Sequence, residues 1–128
     1  DRLDTKLPEV DKGIAALIDD LKDKGLYEDT MIVVATEFGR TPNINVNTGR
    51  DHYPRAFSCM LAGGKIDGKA IGKTDDKAMT IEESPYQVAD LNATIADAMG
   101  LDINQTLFSP SARPFKVAHD GKIIPNVF

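Results

Sequence analysis

Apolar residues recur at helical spacing from the start of the chain. Leu3, Leu7, Val10, Ile14, Leu17, Ile18 and Leu21 share one face, while Asp11, Lys12, Asp19, Asp20, Lys22 and Asp23 fall mainly elsewhere. This predicts an amphipathic helix packed on one side. Pro8 is tolerated near a first turn, so the pattern predicts a start between Thr5 and Pro8 and a stop at Gly25. Periodicity then disappears. Met31-Ile32-Val33-Val34-Ala35 is apolar without alternation, as a central strand of a parallel sheet reads. Ala56 to Ala62 reads as a second buried strand ended by Gly63-Gly64, with Cys59 packed inside it. The link between them carries no helical pattern, so the strands are either non-adjacent or antiparallel.

Ile66 to Glu83 is irregular and polar, with a short extended piece near Ala70-Ile71. Asp75-Asp76-Lys77 lacks the alternating oxygen ligands of a calcium loop and reads as a solvated turn. Ser84-Pro85-Tyr86-Gln87 has the form of a capping box. Val88, Leu91, Ile95, Ala98 and Met99 then form a helical stripe closed by Gly100, with Met99 expected in the core. Phe115 to Phe128 reads as a hairpin turning at Asp120-Gly121, with His119 exposed beside the turn.

A length of 128 residues suits one domain, and 41% hydrophobic content marks it as globular rather than disordered. The net charge of −5 argues against a nucleic-acid binder, which usually presents a basic face. No apolar run reaches the length of a membrane span. A single cysteine allows no internal disulfide. The chain opens at Asp1 and enters a helical pattern at once, as a piece of a longer protein would.

The candidate chemistry lies just past the first strand. Glu37 is followed by Gly39, Arg40, Arg50, Asp51 and His52, and ligands of α/β sheets bind beyond the carboxyl ends of strands. Glu37 and His52 are metal-ligand types, and Asp51 is placed to orient His52 or to serve as a ligand. One such pair cannot complete a catalytic site, so the chain supplies at most part of one. Arg40 and Arg50 suit an anionic substrate, because a guanidinium pairs bidentately with phosphate or sulfate oxygens. An ion pair from Glu37 to Arg40 or Arg50, merely tying the loop down, fits the same residues equally well.

The order of the motifs adds a resemblance. Val33-Val34-Ala35-Thr36-Glu37-Phe38-Gly39-Arg40 resembles the strand of the alkaline phosphatase superfamily that ends in Thr-Ser-Asp-His-Gly. His52-Tyr53-Pro54 resembles its later metal-binding His, and the segment from Val88 to Leu101 resembles a sulfatase helix. More narrowly, Glu37 to Pro42 and Gly49 to Pro54 match two motifs of an uncharacterised sulfatase-like family, a domain of unknown function. Ala112-Arg113-Pro114 and Asp120 to Ile124 match its closing pattern. Phe38 departs from the superfamily, standing where it has a metal-binding His.

The resemblance implies an α/β fold: the C-terminal portion of a sulfatase-like domain, with a partial sheet, flanking helices and a C-terminal hairpin. It implies a metal-dependent hydrolase of phosphate or sulfate esters, with Glu37, Asp51 and His52 toward zinc, calcium or manganese and Arg40 and Arg50 toward the anion. The nucleophile and remaining ligands would come from a missing N-terminal portion, so this chain alone is expected to be inactive. A location in the bacterial periplasm or at the cell surface is implied by family resemblance alone. The alternative is a non-catalytic binding or assembly module that keeps the fold with a degenerate site.

Overall fold

The computed structural model describes residues 2–128. The fold is mixed α/β, with two α-helices and four two-stranded antiparallel pairs among the described residues. The described residues divide into two units, 2–34 with 59–66, and 35–58 with 67–128.

In the first unit, α1 spans Arg2–Asp23 and a 3-10 turn covers Tyr27–Asp29. The helix starts earlier than predicted and runs through Pro8, whose fixed φ suits helical backbone even though its ring removes one donor. It ends as predicted: Gly25 N–H donates to Lys22 O and Leu26 N–H to Leu21 O, the paired bonds of a Schellman motif. Only the C-terminal half of the apolar stripe is sheltered. Ile14, Ile18 and Leu21 are half-buried, while Leu3, Leu7, Val10 and Leu17 are exposed.

β1 (Met31–Val34) pairs with β4 (Met60–Gly63) in antiparallel register, Met31 opposite Gly63 and Val34 opposite Met60. Of the two arrangements the sequence allows, non-adjacent or antiparallel, the strands take the antiparallel one, and β1 is not the central strand of a parallel sheet. Each strand has one neighbour, so Val33, Val34 and Met60 remain exposed despite their apolar character. Cys59 precedes the strand and is exposed rather than packed within it.

The second unit holds β2 (Gly39–Arg40) against β3 (His52–Tyr53), β5 (Lys73–Thr74) against β6 (Ile81–Glu83), α2 (Val88–Ala98), and β7 (Leu107–Phe108) against β8 (Pro114–Phe115). The short extended piece thus falls at β5 rather than at Ala70-Ile71. Between β5 and β6 the chain turns around Asp75, whose carboxylate accepts from Met79 N–H at 2.7 Å and from the Thr80 hydroxyl at 2.9 Å. The Met79 N–H is the chief reason that the Asp75 carboxyl sits below its ordinary pKa. The predicted solvated turn is therefore present.

The core of this unit lies between α2 and the segment after Phe115. Ala93, Thr94, Ala96, Ala118, Ile124 and Val127 are buried. Small residues allow two backbones to approach closely: a Cβ at Gly121 would sit 2.0 Å from Ala89 O. Thr94, fully buried, donates its hydroxyl to Asp90 O at 2.8 Å and accepts Ile124 N–H at 2.9 Å.

Three expectations change here. The helix cap is not Ser84, which takes a left-handed φ of 53°; α2 begins at Val88, and Asp90 reaches back to accept Gln87 N–H at 2.8 Å. Met99 is 71% exposed, because the helix ends at Ala98 and the bonds Gly100 N–H to Asp97 O and Leu101 N–H to Ala96 O turn the chain away. The C-terminal hairpin is built by β7 and β8, whereas residues after Phe115 form turns that pack on α2. Backbone bonding explains the shift. Lys122 and Ile124 donate their N–H groups to Asp90 and Thr94 side chains, leaving them no ladder to join.

Candidate functional site

β2 and β3 bring the two sequence motifs together. Gly39 lies opposite Tyr53 and Arg40 opposite His52. The approach requires glycine at position 39, where a Cβ would meet Ala56 O at 2.3 Å. Arg40 and His52 are thus cross-strand neighbours, although twelve positions apart in sequence.

Residues 41–51 form a closed loop. Thr41 N–H donates to Asp51 O at 2.9 Å, and Asp51 N–H donates to Thr41 Oγ1 at 3.0 Å. Arg50 Nη1 donates to Thr41 O at 2.8 Å and also to Pro42 O. Asn45 holds the centre: its Oδ1 accepts from Asn47 N–H and Gly49 N–H, both at 3.0 Å, and its Nδ2 donates to Asp51 Oδ1 at 2.8 Å. Sequence reasoning missed Asn45. The Asn-rich composition marked a turn, but nothing in it distinguished Asn45 from Asn43 or Asn47.

The expected site residues separate into two sets. Glu37, Arg40 and Arg50 line one depression of about 780 Å³, with Phe38, Pro42, Phe57, Ala78 and Ile81 among its apolar walls. Tyr53 fixes the far wall by donating its hydroxyl to Met79 O at 2.7 Å. Arg40 Nη1 donates to Arg50 O at 3.3 Å, and the Arg40 guanidinium lies 5.6 Å from the Phe38 ring centre. Neither arginine pairs with Glu37 among the described residues, so the ion pair weighed from sequence is not formed. The remaining guanidinium donors are available to a ligand.

Asp51 and His52 do not line this depression. Asp51 bonds to Asn45, and the His52 ring packs on Phe38 at 4.0 Å between centroids. Among the described residues, no group of three or more His, Cys, Asp and Glu side chains is arranged to hold a metal. Glu37 and His52 have suitable donor chemistry, but the described residues do not assemble a site around them.

No helix among the described residues is long and apolar enough to cross a membrane. A family model described as a protein of unknown function (DUF1501) matches residues 1–128. No curated protein and no solved structure matches the chain.

Proposed function

The chain belongs to the DUF1501 family, and from that premise we propose that it supplies the anion-binding part of a hydrolase of phosphate or sulfate esters. One observation carries the reading: Arg40 and Arg50 line a single depression, each anchored through backbone carbonyls with guanidinium donors to spare. Anchoring matters because a pre-oriented fork loses less freedom on binding. Glu37 shares the depression and has no cationic partner among the described residues. In this reading Glu37 and His52 are two metal ligands and Asp51 orients His52 or is a ligand itself, although Asp51 and His52 lie outside the depression and the described residues assemble no metal site. A bound zinc, calcium or manganese ion would polarise the ester. The metal's remaining ligands and the nucleophile would come from outside these residues.

The same reading takes the parent to be a relative of the sulfatases and alkaline phosphatases, exported to the periplasm or cell surface. Its support is the likeness of Val33 to Arg40, His52 to Pro54 and Val88 to Leu101 to segments of that superfamily, and the location rests on family resemblance alone.

The test is binding of inorganic phosphate and sulfate to the chain, followed residue by residue by amide NMR. Saturable shifts around Gly39, Arg40 and Arg50 are expected, with tighter binding in Glu37→Gln, which removes a repelling carboxylate. No perturbation at those amides would overturn the reading.

One observation favours the non-catalytic alternative. Phe38 stacks on His52, engaging its ring on an aromatic surface. Zinc titration of Phe38→His decides between the two. A gain in affinity over the native chain favours a metal site that lost one ligand, and no gain favours a module whose His52 serves packing.

A further inference from the structure

We propose that the β7–β8 hairpin and the turn after it form a second oxyanion site, in which Arg113, Lys116 and His119 take a phosphate or sulfate group. The three side chains line a depression of about 610 Å³, together with Ser109, Phe115 and Asp120. It shares no residue with the depression around Arg40 and Arg50. The protein carries a net charge of −5, so a local gathering of two cations and an imidazole runs against its composition.

Backbone hydrogen bonds fix the loops from which the three side chains project. Ser109 N–H donates to Arg113 O at 3.0 Å, Ala112 N–H donates to Ser109 O at 2.8 Å, and Arg113 N–H donates to Ser109 Oγ at 3.1 Å. These bonds close the hairpin around position 113. His119 N–H donates to Lys116 O at 3.1 Å, and Gly121 N–H to Ala118 O at 3.0 Å, closing the turn that carries the other two. The loops that carry the three side chains are therefore ordered, so binding need not order the backbone.

The one acid in the depression is Asp120, which is 96% exposed and stands 3.6 Å from Lys116. It offsets part of the lysine charge. The Arg113 guanidinium and the His119 ring make no ion pair or hydrogen bond among the described residues. A tetrahedral oxyanion matches what they offer: a planar fork from arginine and a ring N–H that histidine presents in either protonation state. Lysine adds a point charge.

The experiment is a titration of the full chain with inorganic phosphate, and separately with sulfate, at constant ionic strength, read by backbone amide NMR. Saturable shifts clustered between Ser109 and Asp120 are expected with at least one ion, and the ion that gives them identifies the ligand chemistry. Arg113→Gln should weaken this binding about tenfold, the loss expected for one charge-assisted hydrogen bond. Glu37→Gln should leave it unchanged. The amide spectrum reports whether each variant is folded, and Lys116→Gln provides a second variant if Arg113→Gln is not. Absence of saturable shifts between Ser109 and Asp120, or native affinity in both folded variants, would overturn the proposal.

Discussion

The ring of Phe38 lies 4.0 Å from the ring of His52, the two planes tilted by 32°. Phe38 precedes β2 and His52 opens β3, so the contact braces the hairpin on which both motifs sit. The Arg40 guanidinium adds to it from 5.6 Å off the Phe38 ring. An aromatic residue at position 38 therefore has a structural role that is independent of any metal.

Replacing Phe38 by leucine keeps an apolar group but removes the ring. The expected cost is about 1 kcal/mol, typical of an aromatic pair beyond its buried area. Urea denaturation measures the cost, and the His52 ring-proton shifts should move toward their unstacked values. Unchanged shifts would contradict the stacking.

Thr94→Val is expected to be more costly than its near-identical shape suggests. The hydroxyl is the acceptor for Ile124 N–H inside the core, and valine leaves that donor unsatisfied. The loss should be about 1–3 kcal/mol, the cost of a buried unpaired group. Thr94→Ser, which keeps the oxygen, should recover most of it.

Two glycines should respond in opposite directions to alanine. Gly13→Ala introduces a Cβ with nothing within 4 Å in the middle of α1, and should stabilise by about 1 kcal/mol through helix propensity. Gly121→Ala drives a Cβ into the Ala89 carbonyl and should destabilise by about 1–3 kcal/mol, as overpacking does. Thermal melts of the two variants should shift in opposite senses.

Asp90 makes part of the stability acid-sensitive. Its carboxylate accepts Lys122 N–H and Gln87 N–H, both at 2.8 Å, and those bonds, the Lys122 one foremost, lower its pKa from the ordinary 3.8. A depressed carboxyl contributes stability that is fully present above its unfolded pKa and lost as pH falls through its folded one. Stability should therefore decline with acid below about pH 4. In Asp90→Asn that decline should be shallower. An identical acid limb in the variant would show that the two bonds contribute nothing.

Ser84→Ala should change stability by less than about 0.5 kcal/mol, because serine and alanine both carry a Cβ at this left-handed φ and the Ser84 side chain does not cap α2. Asp90→Ala should cost about 1 kcal/mol or more, because the cap lies there. A larger loss for Ser84→Ala than for Asp90→Ala in denaturant melts would restore the cap to Ser84.

The sequence by itself determined the two helices and their stops. Helical spacing from Leu3 to Leu21 and from Val88 to Ile95 gave both helices, and Gly25 and Gly100 ended them, because periodicity and left-handed glycine are local properties. It also singled out Glu37, Arg40 and Arg50, which line one depression. Only the tertiary structure decided what those elements meet. An apolar run such as Met31 to Val34 demands burial but does not name its partner or direction, and here the answer was an antiparallel β4 with open faces. Likewise Ser84 fits a capping pattern, yet the helix start is fixed by Asp90, whose second bond goes to Lys122, thirty-two residues away. Asn45 and Phe38 gained their roles the same way, through a closed loop and a cross-hairpin stack. A local pattern specifies which conformations a segment can adopt at low cost, and long-range hydrogen bonds and packing select among them.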